Sequence, residues 1–457
     1  MRSRLLKNRY AFMKVTFANS LLFVLLCGLL DACTSVGPGK LFRSVSPHEQ
    51  YAQSLRDARL EKTALGTDWL AVADRALKDS VVISAPYRES GYFASNRPFA
   101  IGYRLNGQRG DKFIIKVEVQ GQQPVQVFID VFELDERNQV PSRLTSAKAD
   151  TNQLEIEIRR TRMHLVRIQP ELLRSGRYTI SITREPILSF PVTGRDSRQI
   201  SSYFGMPRDA GRRRHEGIDI FAPRGTPAIA AADGYVSGVG TNNLGGNVVY
   251  VSDSRRNHTL YYAHLDSQTV QQGQKVAVGD TVGFIGNTGN ARTTDPHLHF
   301  GIYSFNAGAI DPLPFVRRGT GPARQSLISA ETLGDSVRIS ATQAVVRQSP
   351  NGDAPMLRVL PRSSVVTIIG GTTTWFRVAM PDQTVGYLAG TVVEPARRSL
   401  RKRSLPTGAD LLEAASGQAA PIENLPAGTL VEILGSFGSY QLVRDPNGAT
   451  GWLAQTP

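Results

Sequence analysis

The clearest alternation of apolar and polar positions lies between residues 90 and 190. Ile115, Val117 and Val119 alternate with Lys116, Glu118 and Gln120. The same period of two recurs at Val127, Ile129 and Val131, at Leu154, Ile156 and Ile158, and at Tyr178, Ile180 and Ile182. Successive side chains of a strand point to opposite faces, so this stretch predicts an antiparallel β-sandwich with one wet face per sheet. Ahead of it, Leu55, Leu60, Leu65, Trp69, Leu70, Ala73 and Leu77 follow helical spacing. A short helical segment and the sandwich together make one domain over 47–190. His164 falls within one of its strands and is read as structural.

Residues 15–30 form an apolar run, preceded by Arg2, Arg4, Lys7, Arg9 and Lys14 with no acid among them. Sixteen residues interrupted by Thr16, Asn19 and Ser20 fall short of the ~20 that span a bilayer, and a basic segment before an apolar one is the order of a secretory signal. Leu30-Asp31-Ala32-Cys33 resembles the processing site of a bacterial lipoprotein, with Asp31 departing from the pattern; Cys27 suits it less because Leu26 precedes it. That resemblance implies removal of residues 1–32, acylation of Cys33 and a polar tether over 33–46. The product is a membrane-anchored lipoprotein outside the cytoplasm, facing the cell wall on the periplasmic side. An uncleaved anchor and ordinary secretion are the alternatives, and both also place the protein outside the cytoplasm.

The C-terminal third repeats itself at an offset of 65 residues. Leu360-Pro361 recurs as Leu425-Pro426, Val366 as Val431, Gly370 as Gly435, Val378 as Val443, and Gly386-Tyr387-Leu388 as Gly451-Trp452-Leu453. A unit of that length suits two small β-barrels better than a solenoid. The pattern resembles bacterial SH3-like domains, here over 336–395 and 409–457, joined by a basic linker over 396–408. Such modules bind cell wall or cover a neighbouring domain. Trp375, Tyr387, Tyr440 and Trp452 are read as barrel core ahead of a ligand groove.

Composition narrows the class. In 457 residues, 41% are hydrophobic and 20% charged, which excludes wholesale disorder, a collagen-like fibre and a polytopic membrane protein. Two cysteines exclude a disulfide framework and a cysteine-rich zinc finger, so any metal site must use His, Asp or Glu. The net charge of +14 comes largely from the N-terminal cluster and from Arg397, Arg398, Arg401, Lys402 and Arg403. A targeting segment and a solvated linker account for most of it, so no nucleic-acid partner is inferred. The fold class expected is mainly β throughout.

Chemistry concentrates in 196–315, where five of the seven histidines lie. Three patterns occur in order: His215-Glu-Gly-Ile-Asp219, Tyr261-Tyr-Ala-His264-Leu265, and Pro296-His297-Leu298-His299-Phe300. Their flanks are rich in glycine and β-branched residues, which places them on strands and turns. Residues i and i+2 of a strand share a face, so His297 and His299 project together while Leu298 and Phe300 enter the core. Three ligands from His, Asp or Glu with one open position are typical of catalytic zinc, and His215 with Asp219 offers the remaining pair. His215-Glu216 is not the start of H-E-x-x-H, because position 219 is Asp and the segment lacks helical spacing. His258 matches no pattern and is read as a solvent-facing loop residue.

At these residues the chain resembles the lysostaphin/LytM family of zinc metallopeptidases, the peptidoglycan endopeptidases, over about residues 200–312. The resemblance implies an antiparallel-β catalytic domain and one Zn2+ per chain, held by His215, Asp219 and His299. It makes His264 and His297 the catalytic pair, one moving protons between water and leaving amine while the other stabilises the oxyanion. The implied partner is peptidoglycan, cut in its cross-links or stem peptides. Thr294-Asp295 and Gly301 depart from the family pattern without removing any of these groups. The alternative from the same family is a non-enzymatic regulator that activates a separate cell-wall amidase; retention of all five positions separates the two.

Overall fold

The computed structural model describes residues 44–134, 140–326, 328 and 332–455. The N-terminal apolar run, Cys33 and residues 33–43 of the tether lie outside the described residues. Among the described residues no helix is long and apolar enough to cross a membrane.

The helical segment is two helices, Pro47–Asp57 and Ala64–Lys78. The first opens on a capping box: Ser46 Oγ accepts from the Glu49 N–H at 3.1 Å, and Glu49 Oε2 accepts from the Ser46 N–H at 2.8 Å. In the second, Trp69 is fully buried and its indole N–H donates to the Pro170 carbonyl at 2.9 Å. That bond fixes the helix against the sandwich.

One sheet of the sandwich runs Val81–Val82, Ile101–Gly107, Arg162–Pro170, Val127–Leu134, Pro141–Ser146. The facing sheet contains Tyr87–Phe93, Gly176–Pro186, Asp111–Gln120 and Gln153–Glu157 in that order. Phe113, Ile115 and Val117 meet Ile129, Val131, Ile180 and Ile182 between them, while the alternate lysines and glutamates face water. His164 is buried and its Nδ1 lies 2.9 Å from the Arg162 carbonyl, a structural placement.

The facing sheet does not stop at the sandwich. Ser90 and Gly91 pair with Gly371 and Gly370 of the strand Val365–Gly371, so the first C-terminal copy continues the same sheet. Fully buried Glu89 fastens this join: it accepts from the hydroxyls of Tyr87 at 2.5 Å and Tyr387 at 3.0 Å, with the Arg377 guanidinium at 3.4 Å. A lone buried carboxylate is costly, and these donors offset that cost.

The two copies repeat strand by strand. Ser336–Ile339, Met356–Pro361, Val365–Gly371, Trp375–Ala379 and Val385–Ala389 are matched 65 residues later by Arg401–Ser404, Pro421–Leu425, Leu430–Phe437, Tyr440–Arg444 and Thr450–Ala454. The basic run is therefore not a linker over 396–408. Arg401–Ser404 is the first strand of the second copy, paired with Leu430–Phe437 so that Arg403 lies opposite Val431. Its side chains carry charge because it is a sheet edge, where lysine and arginine discourage pairing with other chains. Tyr387 and Trp452 are buried, and Trp452 packs with Val365, Leu434 and Leu442.

Between these parts lies an antiparallel sheet of ten strands. Its main path is Ile200–Ser202, Ile218–Phe221, His297–Ser304, His258–Gln268, Gly246–Asp253, Gly234–Asn242, Lys275–Val276. Ile218, Ile220, Leu260, Tyr262, Leu298, Phe300 and Ile302 form its solvent-free core. The sandwich docks on one end of this sheet. Arg109 reaches Ser304 Oγ and His258 Nε2, each at 3.2 Å, Arg256 pairs with Glu157 at 2.7 Å, and Arg317 pairs with Asp111 at 2.6 Å. His258 is thus not a solvent-facing loop residue. It starts a strand, is 5% exposed and stands edge-on to Phe315. Its cover includes a residue almost 150 positions away, which local polarity could not reveal.

Candidate metal centre

Strand register assembles the site. Asp219 of Ile218–Phe221 lies directly opposite His299 of His297–Ser304, and Phe221 lies opposite His297. Side chains opposite one another share a face at about 4.5–5.5 Å between Cβ atoms, so Asp219 and His299 meet without any loop to position them. Leu298 and Phe300 are fully buried on the other face, as the alternation predicts. His215 precedes the Asp219 strand in an irregular segment that continues the hairpin before it, not in a helix. Its N–H donates to the Met206 carbonyl at 2.9 Å, and its carbonyl accepts from the Gly205 N–H at 2.8 Å.

The donor atoms converge. Asp219 Oδ1 lies 3.0 Å from His215 Nε2 and 3.0 Å from His299 Nδ1, and those two nitrogens are 2.9 Å apart. Ligand atoms of all three residues lie within 4.8 Å of one another. His215 Nδ1 lies 3.0 Å from the Tyr203 carbonyl, so its proton sits there and Nε2 faces inward with a lone pair. Two imidazoles and a carboxylate around a common point fit zinc, whose catalytic sites take such a set. Burial alone would raise the Asp219 carboxyl, yet the His215 and His299 imidazoles packed against it favour the carboxylate form and hold it well below the usual range. Burial lowers the His299 imidazole, with Asp219 opposing.

Gly217 belongs to this geometry. A Cβ there would stand 2.6 Å from the Phe300 carbonyl oxygen and 2.7 Å from His299 Nε2, so only glycine lets the chain pass behind the His299 ring.

Two further histidines complete the cluster. The His264 and His297 ring centroids are 5.0 Å apart, and the His264 and His299 centroids 5.8 Å apart. His264 Nδ1 lies 2.9 Å from the Thr288 carbonyl and His297 Nδ1 lies 2.8 Å from the Asp295 carbonyl. Both rings therefore carry their proton on Nδ1, leaving each Nε2 as an acceptor. His297 Nε2 stands 4.0 Å from Asp219 Oδ1, and its ring stacks on Phe221 with centroids 4.9 Å apart. Burial pushes the His264 imidazole down to about 4, helped by repulsion from His297 and His299. It stays neutral across physiological pH, the state a proton acceptor needs.

His264 also adopts a backbone that the sequence did not announce, with φ at +61°. It sits where its strand leaves His297–Ser304, the last pair being Ala263 with His299, and joins Thr281–Ile285, beginning with Leu265 opposite Ile285. Left-handed backbone in a residue with a side chain is a strained conformation held by its surroundings and characteristic of functional sites.

The structure brings together all five residues singled out in the sequence. Sequence reasoning missed the groups that orient them. The carbonyls of Tyr203, Thr288 and Asp295 leave no side-chain signature. Arg208, whose Nη2 donates to Asp219 Oδ2 at 2.8 Å, is one arginine among several in that stretch.

Comparison with known proteins bears on the same region. Residues 213–312 match the model of peptidase family M23. Over 143 residues the chain is 36% identical to the peptidoglycan DD-endopeptidase ShyC of Vibrio cholerae, covering 29% of this chain and 32% of that one. Over 140 residues it is 34% identical to an L-Ala–D-Glu endopeptidase of Bacillus subtilis, covering 28% of this chain and 43% of the other. Among solved structures, the catalytic domain of the antimicrobial peptidase lysostaphin from Staphylococcus simulans is 34% identical. That match covers 25% of this chain and 89% of the other, with a TM-score of 0.23. The chain thus spans less than half the length of these curated relatives.

Proposed function

From the match of residues 213–312 to the model of peptidase family M23, we propose that the protein is a zinc-dependent endopeptidase hydrolysing the peptides of bacterial peptidoglycan. The observation that carries the reading is the convergence of His215 Nε2, Asp219 Oδ1 and His299 Nδ1 beside two histidines whose Nε2 atoms are both free to accept. His215, Asp219 and His299 would hold the ion, which supplies charge to polarise the scissile carbonyl and acidify a water.

The remaining chemistry belongs to the chain. A histidine kept neutral near pH 7 accepts a proton through Nε2, while its Nδ1–H is anchored on a backbone carbonyl and cannot swing away. His264 suits that role, its burial and neighbouring imidazoles disfavouring the charged form until the proton arrives. His264 would then return the water's proton to the departing amine, while His297, packed against Phe221, would stabilise the developing oxyanion through Nε2–H when it has taken a proton from solvent before the attack. The name of the Vibrio cholerae relative, a peptidoglycan DD-endopeptidase, supports the substrate class. Acylated Cys33 would anchor the enzyme outside the cytoplasm beside the wall. The pairing of Val365–Gly371 with the sandwich and the bond from Tyr387 to Glu89 support an intramolecular role for the first C-terminal copy.

Isolated peptidoglycan incubated with the purified protein should release new muropeptides, identified by mass spectrometry. Chelation should stop release and added zinc should restore it. A zinc-loaded protein that releases nothing, yet stimulates a cell-wall amidase, would replace this reading with the regulator. Changing Cys33 to Ser should shift the protein out of the membrane fraction; unchanged fractionation would reject the lipid anchor.

A further inference from the structure

The carboxylate in the cluster is held from both sides. Asp219 Oδ1 faces the two ligand histidines, whereas Oδ2 accepts from Arg208 Nη2 at 2.8 Å. The same nitrogen reaches Ser202 Oγ at 2.5 Å, and Ser202 Oγ lies 3.3 Å from His215 Nδ1. One guanidinium is thus in contact with one ligand directly and with a second through a single hydroxyl.

The segment that carries Arg208 is shaped for this. Pro207–Arg208 pairs with Arg213–Arg214 in a hairpin, and the turn between them runs through three successive left-handed residues, Asp209 at φ 51°, Ala210 at 57° and Gly211 at 89°. Two of the three carry a Cβ, so the turn is strained and must be held by what it packs against. The other arginines of the turn are engaged elsewhere: Arg213 Nε donates to Asp209 Oδ2 at 2.5 Å and Arg212 Nε to the Asp209 carbonyl at 3.2 Å. The hairpin runs directly into His215, and hydrogen bonds from His215 to Met206 and from Gly205 to His215 close it. The loop that delivers one ligand therefore also delivers the residue that orients another.

We propose that Arg208 is a positioning residue of the metal centre, holding Asp219 Oδ2 so that Oδ1 alone is presented with the two imidazoles. The inference rests on the metal-centre reading above. A guanidinium suits the role because the two N–H bonds of its planar Nη2 point in fixed directions, here to Asp219 and Ser202, and it stays charged at every relevant pH. Partners of this kind behind a ligating carboxylate typically govern metal affinity by 10–100-fold.

The test uses the full-length protein and needs no substrate. Zinc affinity is measured by competition with a chromophoric chelator for wild type, Arg208→Ala, Arg208→Lys and Ser202→Ala. Arg208→Ala should weaken zinc about 10–100-fold. Lysine should recover only part of that, since an ammonium is a point donor. Ser202→Ala should fall between wild type and Arg208→Ala. The visible absorption of the cobalt(II)-loaded protein should change in Arg208→Ala, because a released carboxylate alters the coordination. Zinc bound equally by wild type and Arg208→Ala, with the same cobalt spectrum, would overturn the proposal. Tighter zinc in Arg208→Ala would overturn it too, revealing a guanidinium that competes with the ion. Wild type that binds no zinc would instead sink the metal-centre reading. Arg208 lies partly exposed on a hairpin, and a metal-free melting curve of Arg208→Ala matching wild type confirms that the fold is kept; should that variant unfold, the lysine variant and Ser202→Ala decide alone.

Discussion

Replacing His264 by glycine and by alanine should separate what the residue does for rate from what it does to stability. The native backbone there has φ at +61°, and left-handed backbone costs a residue with a Cβ about 1–2 kcal/mol. Alanine keeps that strain and loses the Nδ1–H bond to the Thr288 carbonyl, worth about 1 kcal/mol net. Glycine loses the same bond and escapes the strain, but its looser unfolded chain returns about 0.5–1 kcal/mol. The glycine variant should therefore be more stable than the alanine variant by about 0.5–1 kcal/mol, or roughly 2–4 °C in the melting of a domain this size. Both should lose turnover by about 10²–10⁴, a barrier rise of roughly 3–5 kcal/mol, because neither offers a proton acceptor. Calorimetry of the zinc-loaded variants, with turnover of a defined cross-linked muropeptide, makes the comparison. An alanine variant as stable as the glycine variant would refute the strain argument. Near-normal turnover by either would remove His264 from the mechanism.

Metal analysis should find about one zinc per chain in the wild type, and His215→Ala, Asp219→Ala and His299→Ala should each abolish it; full zinc in all three would reject the ligand set. Gly217→Ala should lower zinc content and turnover together, since its Cβ would stand 2.7 Å from His299 Nε2; a variant with normal zinc would show that the ring can yield. His258 is held neutral by burial and by the Arg109 guanidinium, its pKa depressed below the ordinary 6.5. Below pH 6.5 the unfolded chain binds its proton first, so stability falls as pH falls through that value. His258→Gln should flatten the drop in melting temperature between pH 7.5 and 5; an unchanged slope would exclude His258 as a contributor.

The sequence by itself determined the local rules of this protein. Period-two alternation at Ile115, Val117 and Val119 sufficed for the sandwich strands, and the i, i+2 spacing of His297 and His299 put both on one face with Leu298 behind them. These conclusions need only that strands alternate, a property of the backbone and not of its surroundings. The 65-residue offset exposed the duplication for a similar reason, because equal folds need equal cores. Its boundary was misplaced, since the charge of Arg401–Ser404 reads as solvated linker until Val431 is seen across from Arg403. Tertiary structure alone decided what depends on register between distant segments: Asp219 facing His299, Arg208 behind Asp219, and His258 buried under Arg109. It also decided the left-handed backbone of His264, which arises where one strand changes partners. Such features come from hydrogen bonds to carbonyls and from packing across long sequence separations, and neither is written in the spacing of side chains along the chain.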